Sequence, residues 1–264
     1  MPKNALLLGS RSFIVLELKI FAFSPFWENC METFFIVARS AHIFAGSLAF
    51  IARFLAIVSP KGKTLHRRVG IIYVWSMVGV ATTATLMSFV KTELLSFFVP
   101  LSAFTLQLTL GGWRALERKR LRSETERRQE SKQESKQESR QGNTQGRSLT
   151  PKLDWTIALG SLGAGVVFLL LGAGALWQGD TMGVVSMVFG GFGVSLAVKN
   201  LRVFILADKG VQPKKMEWFF AHLSGMLGAY IATVTAVLVV NADALPPLAR
   251  WLAPTVVGTL GIAF

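Results

Sequence analysis

A single cysteine, Cys30, occurs in the 264 residues. It excludes an internal disulfide and leaves a cysteine-based metal cluster without ligands. Charge is sparse as well: 16% of residues are charged, against 52% hydrophobic, with a mean hydropathy of +0.47. That balance is too apolar for an ordinary soluble domain. Acidic residues number 15 against 28 lysines and arginines, a net charge of +13. The excess does not point to nucleic acid, because the basic residues sit in the links between apolar runs and no basic–aromatic platform stands outside those runs. The patterns G-x-x-x-x-G-K-[ST], G-x-S-x-G and H-E-x-x-H are all missing, which removes the common nucleotide, hydrolase and metalloprotease signatures.

What the chain does have is a series of nearly uncharged runs, each of roughly 20 residues or more, enough to cross a hydrocarbon core of about 30 Å. They predict an all-α, polytopic transmembrane helical bundle with six spans and a marginal seventh. The spans fall near 33–58, 69–90, 94–113, 155–177, 181–206 and 217–240, with the short last run at 248–264 broken by Pro254. Pro60 ends the first, since the residue before a proline is driven out of helical geometry. The chain thus divides into an N-terminal segment (1–32), three spans (33–113), a linker (114–152) and the remaining spans (153–264). In the first 25 residues, Arg11, Glu17 and Lys19 interrupt the apolar stretch. Charges at a helix centre cost about 2.5–3.5 kcal/mol each on insertion scales, so this part reads as interfacial rather than spanning. The linker holds twelve Lys/Arg and six Glu, and its QESKQESKQESR repeat carries no apolar residue. It sets Glu130, Glu134 and Glu138 at i,i+4, where like charges weaken a helix, and it reads as disordered and solvated.

Orientation follows from charge. The links at 59–68, 114–152 and 207–216 are basic, whereas those at 91–93, 178–180 and 241–247 together hold one lysine and three acids. This alternation predicts the basic links on the cytoplasmic side of a bacterial inner membrane, with lipid as the surrounding partner. A homo-oligomer or a membrane partner stays open.

Ionisable groups inside the bilayer are costly and therefore candidates for function. In the first span Arg39, His42, Gly46 and Arg53 stand at i−3, i, i+4 and i+11 relative to His42, one stripe that is expected to face the bundle. Snorkelling of both arginines to opposite interfaces is the alternative. His66 sits in the basic link beside Arg67 and Arg68, and His222 about five residues into the sixth span, roughly 8 Å deep. His42 lies some 24 Å from that interface at 1.5 Å per residue. His66 and His222 are therefore the pair able to clamp one ligand, and His42 belongs to a separate site. Gln107, Thr82, Thr83, Thr85 and Thr105 read as hydrogen-bonding groups between helices, and the glycines at 190–193 as packing.

The pattern HIFAG, SPKGKTLHRRVGIIYVWSM, GGWRALERK, WFFAHLSGMLGAYIATVTAVLVVN and WLAPTVVGT resembles a family of predicted bacterial multi-spanning membrane proteins that carry a domain of unknown function. The resemblance covers about 36–120 and 150–260. It implies that His42, His66, Arg67, Gly70, Trp113, Arg114, His222, Met226 and Tyr230 match family motifs; Ile71 stands where that family is expected to carry a second cation. It supports location and topology and supplies no reaction.

Three functions remain. One is transport, or proton and ligand handling, through the intramembrane His and Arg groups. Another is electron transfer through a b-type haem on His66 and His222, with Arg67 or Arg39 neutralising propionates. The last is a metal-dependent hydrolase on three histidines, which lacks an acid at depth to act as general base.

Overall fold

The structure, a computed structural model, describes residues 25–92, 95–136, 152–209, 211 and 214–263. They form seven helices: α1 Pro25–Val58, α2 Thr64–Val90, α3 Leu95–Lys136, α4 Lys152–Trp177, α5 Gly183–Asp208, α6 Glu217–Asn241 and α7 Pro247–Ala263. No strand occurs among the described residues. The first six are long and apolar enough to cross a membrane. Seventeen residues in α7 fall short of that length. Helices dominate for a physical reason: in hydrocarbon every backbone N–H and C=O must be satisfied within its own segment. The protein is an integral membrane protein built as a helical bundle.

The end of α1, the start of α2, the part of α3 around Arg114, the start of α4, the end of α5 and the start of α6 come together at one end of the bundle, called here the basic end. Helix α3 is central, packing against α2, α4 and α6. Helices α1 and α2 form one hairpin, α4 and α5 another, and α7 leans on α6. The core is small: Tyr73, Phe104, Leu108, Phe168, Phe189 and Met226 meet at its centre. Outward-facing side chains are just as apolar, including Phe44, Trp75 and Leu170. That is the pattern of helices bathed in lipid rather than water.

Glycine sets the close crossings. A Cβ at Gly172 would lie 2.9 Å from Gly183 O, and one at Gly190 would lie 3.0 Å from Gly165 O. Gly190 and Gly193 are thus packing groups against α4, as their apolar setting predicts, whereas a methyl on Gly191 would meet nothing within 4 Å. Helices α3 and α6 approach likewise, where a Cβ on Gly225 would lie 2.8 Å from both Gly112 Cα and Leu108 O. In the α1–α2 turn, Gly62 has φ of +80°, a conformation glycine adopts at no steric cost.

Two expectations change. The linker expected over 114–152 is helical as far as Lys136. Extending an existing helix needs no new nucleus, and Arg120–Glu124 and Arg122–Glu126 pair at i,i+4 with N–O distances of 3.0 and 2.8 Å. Opposite charges at that spacing outweigh the like-charge repulsion read from the repeat. Residues 137–151 lie outside the described residues, as does the N-terminal segment up to residue 24. Helix α2 begins at Thr64, so His66 belongs to its first turn and not to a link.

The Gly112–Gly225 crossing yields a stability prediction. Gly225→Ala must push two backbones apart and is expected to destabilise the protein by about 1–3 kcal/mol, the usual cost of overpacking. Gly160→Ala, with nothing within 4 Å of the added methyl, is expected to be neutral. Thermal unfolding of both variants in detergent makes the comparison.

Candidate functional site

Three histidines are each fixed by a backbone carbonyl on a neighbouring turn or helix. His66 Nδ1–H donates to Ala56 O at 3.0 Å, and His222 Nδ1–H donates to Gly112 O at 3.0 Å. His42 Nδ1–H donates to Val80 O at 3.1 Å, with Thr83 Oγ1 3.0 Å away. A carbonyl only accepts, so each contact places the proton on Nδ1 and leaves Nε2 with its lone pair free. Part of this arrangement is structural. Ala56 O and Ile57 O end α1, and they also accept from Ser59 Oγ and Lys61 Nζ, so His66 completes a set of donors to carbonyls that have no partner within the helix.

At the basic end, His66 and Arg53 both lie within electrostatic reach of His222. The pair that depth singled out is therefore in one neighbourhood, and α1, α2, α3 and α6 all contribute to it. Arg53 is the unexpected member. Its side chain turns into the bundle and is 5% exposed, with the guanidinium carbon 5.5 Å from the centre of the Tyr73 ring. Arg53 Nε has no hydrogen-bond partner, and Arg53 makes no ion pair among the described residues. Tyr230 is also within its electrostatic reach, held by a tilted ring contact with Phe50 at 5.7 Å. Tyr73 is fully buried beside Thr109 and Thr233. Those threonines donate their own protons to Thr105 O and Ala229 O, which leaves their Oγ lone pairs as the acceptors beside the Tyr73 hydroxyl.

Other predicted members lie elsewhere. Arg39 is exposed, so the stripe facing the bundle comprises His42, Gly46 and Arg53 without it. Arg67 is exposed on the first turns of α2 and does not join Arg53. Of the remaining motif positions, Met226 is buried in the core, whereas a methyl on Gly70 would meet nothing within 4 Å. No three His, Cys, Asp or Glu side chains converge as a metal-binding group among the described residues. A three-histidine centre is not formed, because His42 sits at the middle of α1 (Pro25–Val58), about 24 Å from the end that meets His66.

Two further features escaped sequence reasoning. Asp154, at the start of α4, is 3% exposed and accepts from Arg114 Nε at 2.5 Å and Arg118 Nη1 at 3.2 Å. The available signal was an isolated acid opening an apolar span, opposite the arginines that end another. Gln107, expected to bridge helices, is 1% exposed and has no partner for Nε2 or Oε1. It lines a cavity of about 270 Å³ bounded by α3, α5, α6 and α7. Thr83 does bond across helices, to His42, whereas Thr105 donates within its own helix to Ser102 O.

Fold and site together define a polytopic helical membrane protein with a cationic and phenolic cluster at its basic end. Comparison with protein-family models, curated proteins and solved structures gives no match.

The Asp154 clamp can be tested directly. Removing one partner of a buried ion pair strands the other charges, at a cost of about 3–5 kcal/mol. Arg114 and Arg118 keep 13% and 19% side-chain exposure, which places Asp154→Asn near the lower figure. Chemical unfolding in detergent, compared with Asp243→Asn at the exposed Arg250 pair, measures the difference. The Asp243 variant is expected to change stability by less than about 1 kcal/mol.

Proposed function

We propose that this integral membrane protein handles an anion at the cytoplasmic side of a bacterial inner membrane, in the manner of a transport or ligand-relay protein. Arg53 is the counter-charge, and His66 and His222 are the neighbouring proton-exchanging groups. The observation that carries this reading is Arg53 itself: a guanidinium buried among helices, with an unpartnered Nε and no ion pair among the described residues. A buried charge without a partner is costly, and a guanidinium supplies the donors that carboxylates and phosphates use. The orientation is supported by the alternation of basic and non-basic links along the sequence.

The test is calorimetric titration of the purified protein with short-chain carboxylates and alkyl phosphates. Binding of at least one series is expected, weakened tenfold or more in Arg53→Met, since a hydrogen bond to a charged group contributes about 1.5–3 kcal/mol. A variant that melts like the parent and binds equally well overturns the reading.

A b-type haem on His66 and His222 is the second reading, favoured by one observation: both imidazoles have Nδ1 committed to a carbonyl and Nε2 free, as metal-bound histidines do. Against it, neither histidine borders the 270 Å³ cavity. On this reading the detergent-purified protein carries a haem band that shifts with dithionite and disappears in both His66→Ala and His222→Ala. A colourless preparation from haem-sufficient cells removes it.

A further inference from the structure

A second site stands apart from the histidine cluster. Helices α5 and α6 scarcely touch, and the cavity of about 270 Å³ lies between them, with α3 as its floor and α7 along one side. Its volume is near the lower limit for small-molecule pockets, about 300 Å³, and far above the roughly 30 Å³ that one water takes in the liquid. Phe104, Leu108, Phe189 and Ile231 supply apolar walls. Phe192 borders the cavity and is itself 47% exposed, so the gap opens sideways, where a membrane-embedded helix meets lipid.

One part of this lining is polar and unsatisfied. Gln107 and Thr255 both border the cavity, and Gln107 Nε2, Gln107 Oε1 and Thr255 Oγ1 are buried without a hydrogen-bond partner. A buried amide left unpaired costs about 1–3 kcal/mol, and Gln107 offers one donor group and one acceptor together. An occupant that pairs with Gln107 must therefore bring an acceptor, a donor or both into a largely apolar chamber. The cationic lining residues, Arg118 and Lys199, stand at its basic end, and Arg118 is already paired with Asp154. Aromatic walls at Phe104 and Phe189, with ring centroids 5.9 Å apart, favour a flat ring over a branched chain.

We infer that the α5–α6 cleft binds a lipid-soluble ring bearing uncharged oxygens, of the quinone and hydroquinone class, with Gln107 as the group that fixes it. Gln107 Nε2 donates to a ring carbonyl, and Gln107 Oε1 accepts from a ring hydroxyl, so the site takes either oxidation state. The inference is independent of Arg53 and of haem.

The experiment is equilibrium binding of a short-tailed benzoquinone, and separately of its hydroquinone, to the full-length protein in lipid nanodiscs. Saturable binding of one equivalent is expected, about tenfold weaker in Gln107→Leu, the loss of one or two net hydrogen bonds. Ala232→Phe, which places a ring in the cavity from α6, is expected to abolish binding. Should Ala232→Phe fail to fold, Gln107→Leu alone decides, because it removes polarity without adding bulk. Absence of saturable binding to the wild type, or undiminished binding to Gln107→Leu, overturns the assignment. A Gln107→Leu protein that is stabilised while the wild type binds neither ring identifies a water-filled chamber and overturns it equally.

Discussion

At Gly112 and Gly225 the backbones of α3 and α6 come so close that neither position has room for a methyl group. Everything at the basic end depends on that approach. It brings His222 within reach of the Gly112 carbonyl, and it holds α6 against the helix that also contacts α2 and α4. Between lipid-exposed helices there is little hydrophobic drive to associate, so packing and hydrogen bonds must hold the bundle together. The same logic recurs between α4 and α5, where glycines on both helices interlock.

Against this tight frame, the polar groups fall into two kinds. Some are matched: Asp154 has two arginines, and each histidine has a carbonyl. Others are not: Arg53 Nε, both amide atoms of Gln107 and Thr255 Oγ1 are buried without a hydrogen-bond partner. Buried polar atoms are nearly always partnered in folded proteins, so the unmatched ones separate what the fold needs from what it holds in reserve for another molecule. They lie in two places, one beside the basic end and one in the cleft between α5 and α6.

Much of this was legible in the chain. Uncharged runs located six helices because hydrocarbon imposes a minimum length and forbids stray charge, and the alternation of basic links followed the same rule. Depth along the helices selected His66 and His222 as neighbours and set His42 apart; His66 lies within electrostatic reach of His222, and a ligand held between them is a proposal. Rotation about a helix axis was harder to read. Arg39 and Arg53 share a predicted stripe, yet only Arg53 turns inward, because a helix apolar on every side carries no pattern that says which face meets lipid. Gln107 illustrates the same gap, since a lone amide in an apolar run does not reveal whether a partner faces it. The helical continuation of α3 was missed because composition was weighed above the opposite-charge spacing of Arg120 with Glu124 and Arg122 with Glu126.

That continuation has a mechanical consequence. Helix α3 has 42 residues, about 63 Å at 1.5 Å per residue, roughly twice the thickness of a bilayer's hydrocarbon core. Beyond Lys119, which lies over the Trp218 ring, the helix runs on to Lys136. Asp154 grips the helix at Arg114 and Arg118, so the grip acts as a fulcrum. A sideways push on the tip is delivered, through a long arm, to the root of α4.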